Sequence, residues 1–333
     1  MPDRPLQRVL VTGGAGFLGS HLVRSYLAGG ISVRAVGHRP KGSPETQGAI
    51  PDGGEFLELE LCDARQLQGA FERQDLVIHT AAVTRAHGPE GRRLQERVNV
   101  EATRNTIEAC RRGGVPRLLH VSTTAAIGIS PDRDVPADEN FSFNLDHLGL
   151  SYNTSKHQAE RLVLEANDSA LETMVVNPGF VFGRHHRRYN GEEVIARVLR
   201  SSVVVCTDGG LSVVHVDDVV EGVRSVAENG RAGERYILSG DNCSFRTIAD
   251  AVCKVAGIRK TVLSVPKVVR DVSGLLLNSL ARAKGLGPDL YLDRRYAYQF
   301  YSSEKARLEL GYRPRSFETI VADYLGLTGG RGA

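Results

Sequence analysis

The sequence predicts an α/β fold built on a doubly wound parallel sheet, and three observations carry the prediction. Short apolar runs alternate with segments of helical apolar spacing through the first half of the chain. A glycine-rich turn, Gly13-Gly14-Ala15-Gly16-Phe17-Leu18-Gly19, follows the first apolar run and opens the first helical segment. The chain has 333 residues, 41% apolar and 24% charged, the balance of an ordinary globular protein with room for a second, smaller lobe.

Taken in order, Val9-Leu10-Val11 reads as a buried strand and residues 21–27 as the helix after it. Residues 31–36 are the second strand and 56–61 the third, followed by a helix over 66–72. Leu76-Val77-Ile78-His79 is the fourth strand, and a long helix over 99–112 is closed by Gly113-Gly114. Residues 118–121 form the fifth strand, 151–165 a helix and 173–176 the sixth strand. After Asn177-Pro178 the rhythm breaks into a basic loop, Arg184 to Arg188, and a helix over 192–199. Residues 212–220 and 235–238 are expected to return to the first lobe, and from about Phe245 the chain reads as largely helical. The expected division is 1–176, receiving about 212–240, for the sheet lobe, and 177–211 with 241–330 for a smaller, mainly helical lobe.

Composition narrows the function. A net charge of +3 gives no case for nucleic acid, and no apolar run is long enough to span a bilayer. Met1 to Pro5 leads directly into the first strand, so no signal peptide is expected. Cys62, Cys110, Cys206, Cys243 and Cys253 are odd in number and lack a CxxC pair. They read as reduced thiols of a cytoplasmic protein, not a disulfide scaffold or zinc site. His185-His186 has no partner cluster in the sequence, so no metal site is expected. The arginines around it read as an exposed charged loop.

Chemistry concentrates at two places. In the glycine turn, Gly13 permits the bend, Gly16 lets backbone approach a pyrophosphate and Gly19 lets helix pack on strand. The pyrophosphate then meets free N–H groups at the positive end of the helix dipole, beginning at Phe17 and Leu18. Further on, Tyr152 and Lys156 lie four apart on one helix face. A phenol of ordinary pKa about 10 becomes an acid/base near neutrality if a cation beside it stabilises the phenolate. A hydroxyl from Ser122-Thr123-Thr124, at the end of the preceding strand, can polarise the same carbonyl oxygen.

With Ala81-Ala82, Asn99-Val100-Glu101-Ala102-Thr103, Asn177-Pro178-Gly179, His215-Val216-Asp217-Asp218 and Leu310-Gly311-Tyr312-Arg313-Pro314, these motifs resemble the extended branch of the short-chain dehydrogenase/reductases over nearly the whole chain. The resemblance implies a Rossmann-type lobe with Thr123, Tyr152 and Lys156 as the catalytic set. Lys156 would meet the nicotinamide ribose and lower the pKa of Tyr152. Ala81, Ala82, Pro178 and Phe180 would line the cofactor's path, and Asn99 would contact cofactor or hold its helix in place. Glu60-Leu61 stands near the adenine, where the family often has Asp before the aliphatic residue.

Three departures refine the expectation. Gly37 replaces the acid that ends the second strand in NAD-specific members, and His38-Arg39 follows, favouring NADP(H) over NAD(H). Thr124-Ala125 replaces the Asp-Glu of sugar-nucleotide 4,6-dehydratases, so dehydration is not expected. Leu211 stands where sugar-nucleotide epimerases place an arginine on the diphosphate, and is expected to add apolar surface to the pocket wall. The segment looks instead like dihydroflavonol-reductase-like, 3β-hydroxysteroid-dehydrogenase-like and hopanoid-associated epimerase-like members. Expected is hydride transfer between NADP(H) and a carbonyl or secondary alcohol of a fairly apolar small molecule. The alternatives are a sugar-nucleotide 4-epimerase and a non-catalytic nucleotide sensor. A homodimer is expected through helices 99–112 and 151–165, burying Ile107 and Leu162. Residues 268–280 carry helical apolar spacing, read as core ahead of a substrate lid or membrane contact.

Overall fold

The computed structural model describes residues 5–38, 53–84, 86, 88–183, 190–265, 276–277, 279–280, 283 and 297–327. Two compact units emerge, the first from Met1–Ala126, Ser151–Asn177 and Val223–Tyr236, the second from Ile127–Leu150, Pro178–Gly222 and Ile237–Ala333.

The first unit is built on β1 (Arg8–Thr12), β2 (Ser32–Gly37), β3 (Glu55–Glu58), β4 (Leu76–His79), β5 (Arg117–Val121) and β6 (Glu172–Pro178). With a later strand, β10 (Arg235–Leu238), they form a seven-stranded sheet of order β10-β6-β5-β4-β1-β2-β3. The registered pairs β1–β2, β2–β3, β1–β4, β4–β5 and β5–β6 are all parallel. The chain begins mid-sheet, winds outward to β3, then returns and winds the other way. That reversal opens a crevice at the carboxyl ends of β1 and β4, where doubly wound sheets bind ligands. The strands are continuous apolar runs because helices cover the sheet. Leu10, Val36, Val77, Leu118 and Val175 join Ile107 and Val163 from the helices in one buried cluster.

Helix α1 (Phe17–Ala28) follows the glycine turn. Beyond β4, α2 (Gly88–Gln95) runs through a π-helical segment, Glu96–Glu101, into α3 (Ala102–Arg112). The helix expected to begin at Asn99 therefore starts eleven residues earlier, with a wider turn in its middle. Helix α4 (Ser151–Glu165) has the predicted bounds. The helix expected over 66–72 is absent. That stretch is a chain of four-residue turns, closed by Gln66 N–H to Asp63 O and Ala70 N–H to Leu67 O among others. Gly69 at φ 78° and Arg73 at φ 61° adopt left-handed conformations that a right-handed helix cannot contain.

The second unit holds β7 (Phe180–Phe182), α5 (Asn190–Arg200), β8 (Val203–Cys206), β9 (Gly210–His215) and the start of α6 (Val216–Asn229). Later come β11 (Asn242–Ser244), α7 (Phe245–Val255), β12 (Thr261–Ser264), β13 (Tyr298–Gln299) and helices Glu304–Leu310 and Phe317–Tyr324. Strands β11, β9 and β13 pair in that order, β7 adds to β9, and β8 pairs with β12. This corrects two expectations. Residues 212–222 belong to the second unit because β9 finds its partners in β7, β11 and β13. The chain beyond Phe245 carries strands as well as helices. Residues 127–150 also cluster with the second unit, although the sequence assigned them to the first.

Candidate active site

The glycine turn lies where the sheet reverses. Gly13 adopts φ +67°, and a Cβ there would come within 2.9 Å of the Ala81 backbone. A Cβ on Gly19 would sit 2.1 Å from the Gly13 carbonyl oxygen, so α1 packs on the turn only because that position is bare. Gly16 is the N-cap of α1 and offers no side-chain oxygen to its first turn. A glycine at the N-cap keeps side-chain atoms away from the N-terminus of α1, where an anionic ligand can approach the positive end of the helix dipole. These residues fit a dinucleotide diphosphate. Ala81 and Ala82 are half-buried on the strand extension beside the turn.

At the end of β2, Gly37 stands beside the turn and His38 is exposed. The His38 ring lies 3.2 Å from the Glu60 carboxylate, and the Arg97 guanidinium lies 3.6 Å from the same oxygen. Burial opposes ionisation of Glu60, but the Cys62 N–H and His38 outweigh it and hold the carboxyl below its ordinary range. Leu61 is buried in the sheet core. Arg97 was not singled out from the sequence, because nothing in its spacing places it at this strand end. Arg39 lies outside the described residues, as do residues 184–188 and most of 268–280.

At the end of β5, Thr123 is partly exposed and its main chain is pinned by the Asn177 amide, 3.1 Å away. The start of α4 is tied to the turn after Thr123: the Asn153 side chain donates to Ala125 O, and His157 lies 2.9 Å from Ala126 O. Tyr152, adjacent to Asn153, is half-buried. Lys156 is 2% exposed, and its Nζ donates to Val121 O at 3.0 Å. Burial pushes its ammonium down to about 8, with Glu160 opposing. Asn99, in the π segment, is fully engaged: its side chain exchanges hydrogen bonds with Val83 N and O and donates to Ser155 Oγ. Ser155 Oγ in turn donates to Tyr152 O. The amide thereby holds the first turn of α4 against the strand extension after β4.

Sequence reasoning missed two buried histidines beneath this helix. His79 and His120 face each other across the β4–β5 register, with ring centroids 5.2 Å apart. Thr103 donates to Asn99 O, so it accepts from His79 Nε2, and Thr12 donates to His79 Nδ1. That fixes a neutral ring whose pKa burial pushes down to about 3. His120 Nε2 lies 3.2 Å from Lys156 Nζ, and burial, then Lys156 and His79, hold its pKa well below the ordinary value. The available signal was a polar residue near the end of each of two apolar strands.

In the second unit, Phe180 lies in β7 and pairs with Val213, directly after Pro178 and Gly179. Leu211 is 5% exposed within the unit's hydrophobic core, so it is not a pocket wall, and that expectation is corrected. His215 Nδ1 accepts from the Asp217 N–H. A cavity of about 10 Å³ beside it, lined by Phe182, Glu192, His215 and Asp323 among others, has room for a water and not a substrate. Among the described residues no group of three or more His, Cys, Asp or Glu is arranged to hold a metal, and no helix is long and apolar enough to cross a membrane.

A dinucleotide cradle at the switch point and a buried lysine one turn from a tyrosine define the class, a nucleotide-dependent oxidoreductase of Rossmann type. The model of the NAD dependent epimerase/dehydratase family matches residues 9–239, and the chain belongs to that family, the extended short-chain dehydrogenase/reductases. It is 32% identical over 321 residues to a 4-hydroxy-2-methyl-3-oxo-4-farnesyl-3,4-dihydroquinoline-1-oxide ketoreductase of Stigmatella aurantiaca, 92% of each chain being covered. Sterol demethylase protein B of Methylococcus capsulatus is 27% identical over 329 residues, covering 94% of this chain and 96% of its own. Among solved structures, gox2253 superposes with a TM-score of 0.82 at 30% identity, over 96% of this chain and 97% of its own. The protein is an NAD(P)-dependent oxidoreductase.

Proposed function

We propose that this chain reduces a carbonyl of a fairly apolar small molecule with NADPH, or oxidises the corresponding secondary alcohol. One observation carries the reading: Lys156, one turn after Tyr152 on the same helix, is anchored on Val121 O, two residues before Thr123. The dinucleotide, when bound, supplies the hydride that adds to the carbonyl carbon. Tyr152 Oη gives its proton to the carbonyl oxygen, and the Thr123 hydroxyl hydrogen-bonds that oxygen as charge builds on it. The Lys156 ammonium stabilises the phenolate left behind and donates to the nicotinamide ribose. Gly13, Gly16, Phe17, Leu18 and Gly19 would receive the diphosphate, with Ala81, Ala82, Glu60 and Leu61 along its path.

An apolar substrate is supported by Leu211, which leaves no guanidinium where epimerases grip a diphosphate, and by relatives named for a farnesylated quinoline and for sterols. A 2′-phosphate is supported by Gly37 in place of an acid, by Arg39 two positions further along the sequence, and by His38 and Arg97 near that strand end. The test is a panel. NADPH should be consumed with some alicyclic or aryl ketones, while Arg39→Ala narrows the gap between NADPH and NADH affinity. UDP- and dTDP-sugars should show no micromolar binding by titration calorimetry. Micromolar affinity for any of them overturns the reading in favour of a sugar-nucleotide 4-epimerase.

The same reading makes the protein a cytoplasmic homodimer. Ile107 is already in the monomer's core, with Leu162 packed against it, so those two do not supply the interface. The exposed positions of α3 and α4 are Arg104, Glu108, Arg111, Arg112, Gln158, Arg161 and Glu165, and pairing through them is polar. A monomer mass by light scattering, or fewer than five titratable thiols in the freshly lysed protein, counts against this assembly and setting.

A further inference from the structure

A buried ammonium has three N–H donors, and each needs an acceptor. Val121 O takes one of Lys156 at 3.0 Å and His120 Nε2 lies at 3.2 Å from the same nitrogen, leaving one for a ligand. Since an ammonium only donates, His120 Nε2 accepts, and the ring's proton sits on Nδ1. That Nδ1 is buried and, among the described residues, has no hydrogen-bond partner. An orphaned buried donor is a standing cost to the fold that an apolar side chain would remove. A purely structural position has no use for it.

We propose that His120 is a positioning residue for Lys156: its neutral imidazole holds the ammonium charged and aims the third N–H at the nicotinamide ribose. The groups facing Lys156 are few. From β4 comes His79, locked neutral by Thr12 and Thr103, and from β5 comes His120 itself. From α4 come Tyr152 and Glu160, the latter paired with Arg235 of β10. Glu160 supports the positive charge, and burial works against it. With the acceptor at His120 gone, burial wins at a lower pH and the ammonium is lost sooner.

The inference rests on Lys156 meeting the ribose, and the experiment separates the two. NADH affinity is measured by fluorescence titration from pH 6 to 9.5, which requires no substrate and no 2′-phosphate. In the wild type, affinity should fall about tenfold as pH rises through about 8, the loss of one charge-assisted hydrogen bond. His120→Leu should match the wild type within twofold at pH 6, begin its fall roughly one pH unit lower, and bind about two- to threefold more weakly at pH 7.5. Its Tm should stay within a few degrees of the wild type, because the orphaned Nδ1 donor is removed as one Lys156 N–H loses its acceptor. His120→Gln, which can place an oxygen near the Nε2 position, should restore the wild-type curve. If Leu does not fold, His120→Phe replaces it. A His120→Leu curve that superimposes on the wild type, or a curve that Gln fails to restore, overturns the role of His120. A wild-type affinity independent of pH overturns the ribose contact beneath it.

Discussion

Phenylalanine in place of Tyr152 is expected to lower turnover at least a hundredfold while NADPH affinity changes by less than about threefold, the usual scale for a lost acid/base. The substitution removes one oxygen from a half-buried ring and leaves the ties of α4 to the strand end intact, through Asn153, Lys156 and His157. Binding should survive because the diphosphate and ribose contacts come from other residues. Steady-state rates on the best ketone of the panel, with cofactor titration alongside, make the comparison. Turnover within tenfold of the wild type would remove Tyr152 from the proton transfer, whatever the substrate.

The largest stability effect is expected from Arg235→Ala. Glu160 is 1% exposed; Arg235 Nη1 holds one of its oxygens at 2.9 Å and the Asn177 amide the other at 2.7 Å. Removing the guanidinium strands a buried carboxylate, which costs about 3–5 kcal/mol. The double variant Arg235→Met with Glu160→Gln removes both charges of the pair, at the cost of Glu160's support for Lys156, and should recover at least half of that loss. Urea unfolding of the three proteins reads the difference. A single variant within about 1 kcal/mol of the wild type would show that water reaches Glu160.

The first unit was legible where local chemistry and tertiary fate agree. Buried parallel strands are continuous apolar runs, so β1, β4 and β5 announce themselves, and the glycines around residues 13–19 have no comparably simple reading as anything but a tight strand-to-helix turn. The i, i+4 spacing put Tyr152 and Lys156 on one face without any structure. Residues 66–72 misled because Leu67, Ala70 and Phe71 copy helical spacing while turning their side chains inward from successive turns. Strand β9 was legible as a strand but not as a member of the second unit. All six of its residues are buried, as in a parallel sheet, and only pairing with β7, β11 and β13 decides which sheet it joins. His79 and His120 lie 41 positions apart in the sequence; their proximity exists only once β4 lies beside β5.

The wide turn at Glu96–Glu101 has a consequence for the helix's own reading frame. A π turn spends one residue more than an α turn, so residues before Glu96 are out of phase with those after Ala102 by about 100° of rotation. Deleting one residue there would make a regular helix, and α2 or α3 would then have to rotate about its axis. Asn99 would leave the direction from which it reaches both Val83 and Ser155. Grafting residues 88–101 from a relative with an uninterrupted helix therefore requires one inserted residue. Without it, every side chain of α2 faces the wrong neighbour, however similar the two sequences look.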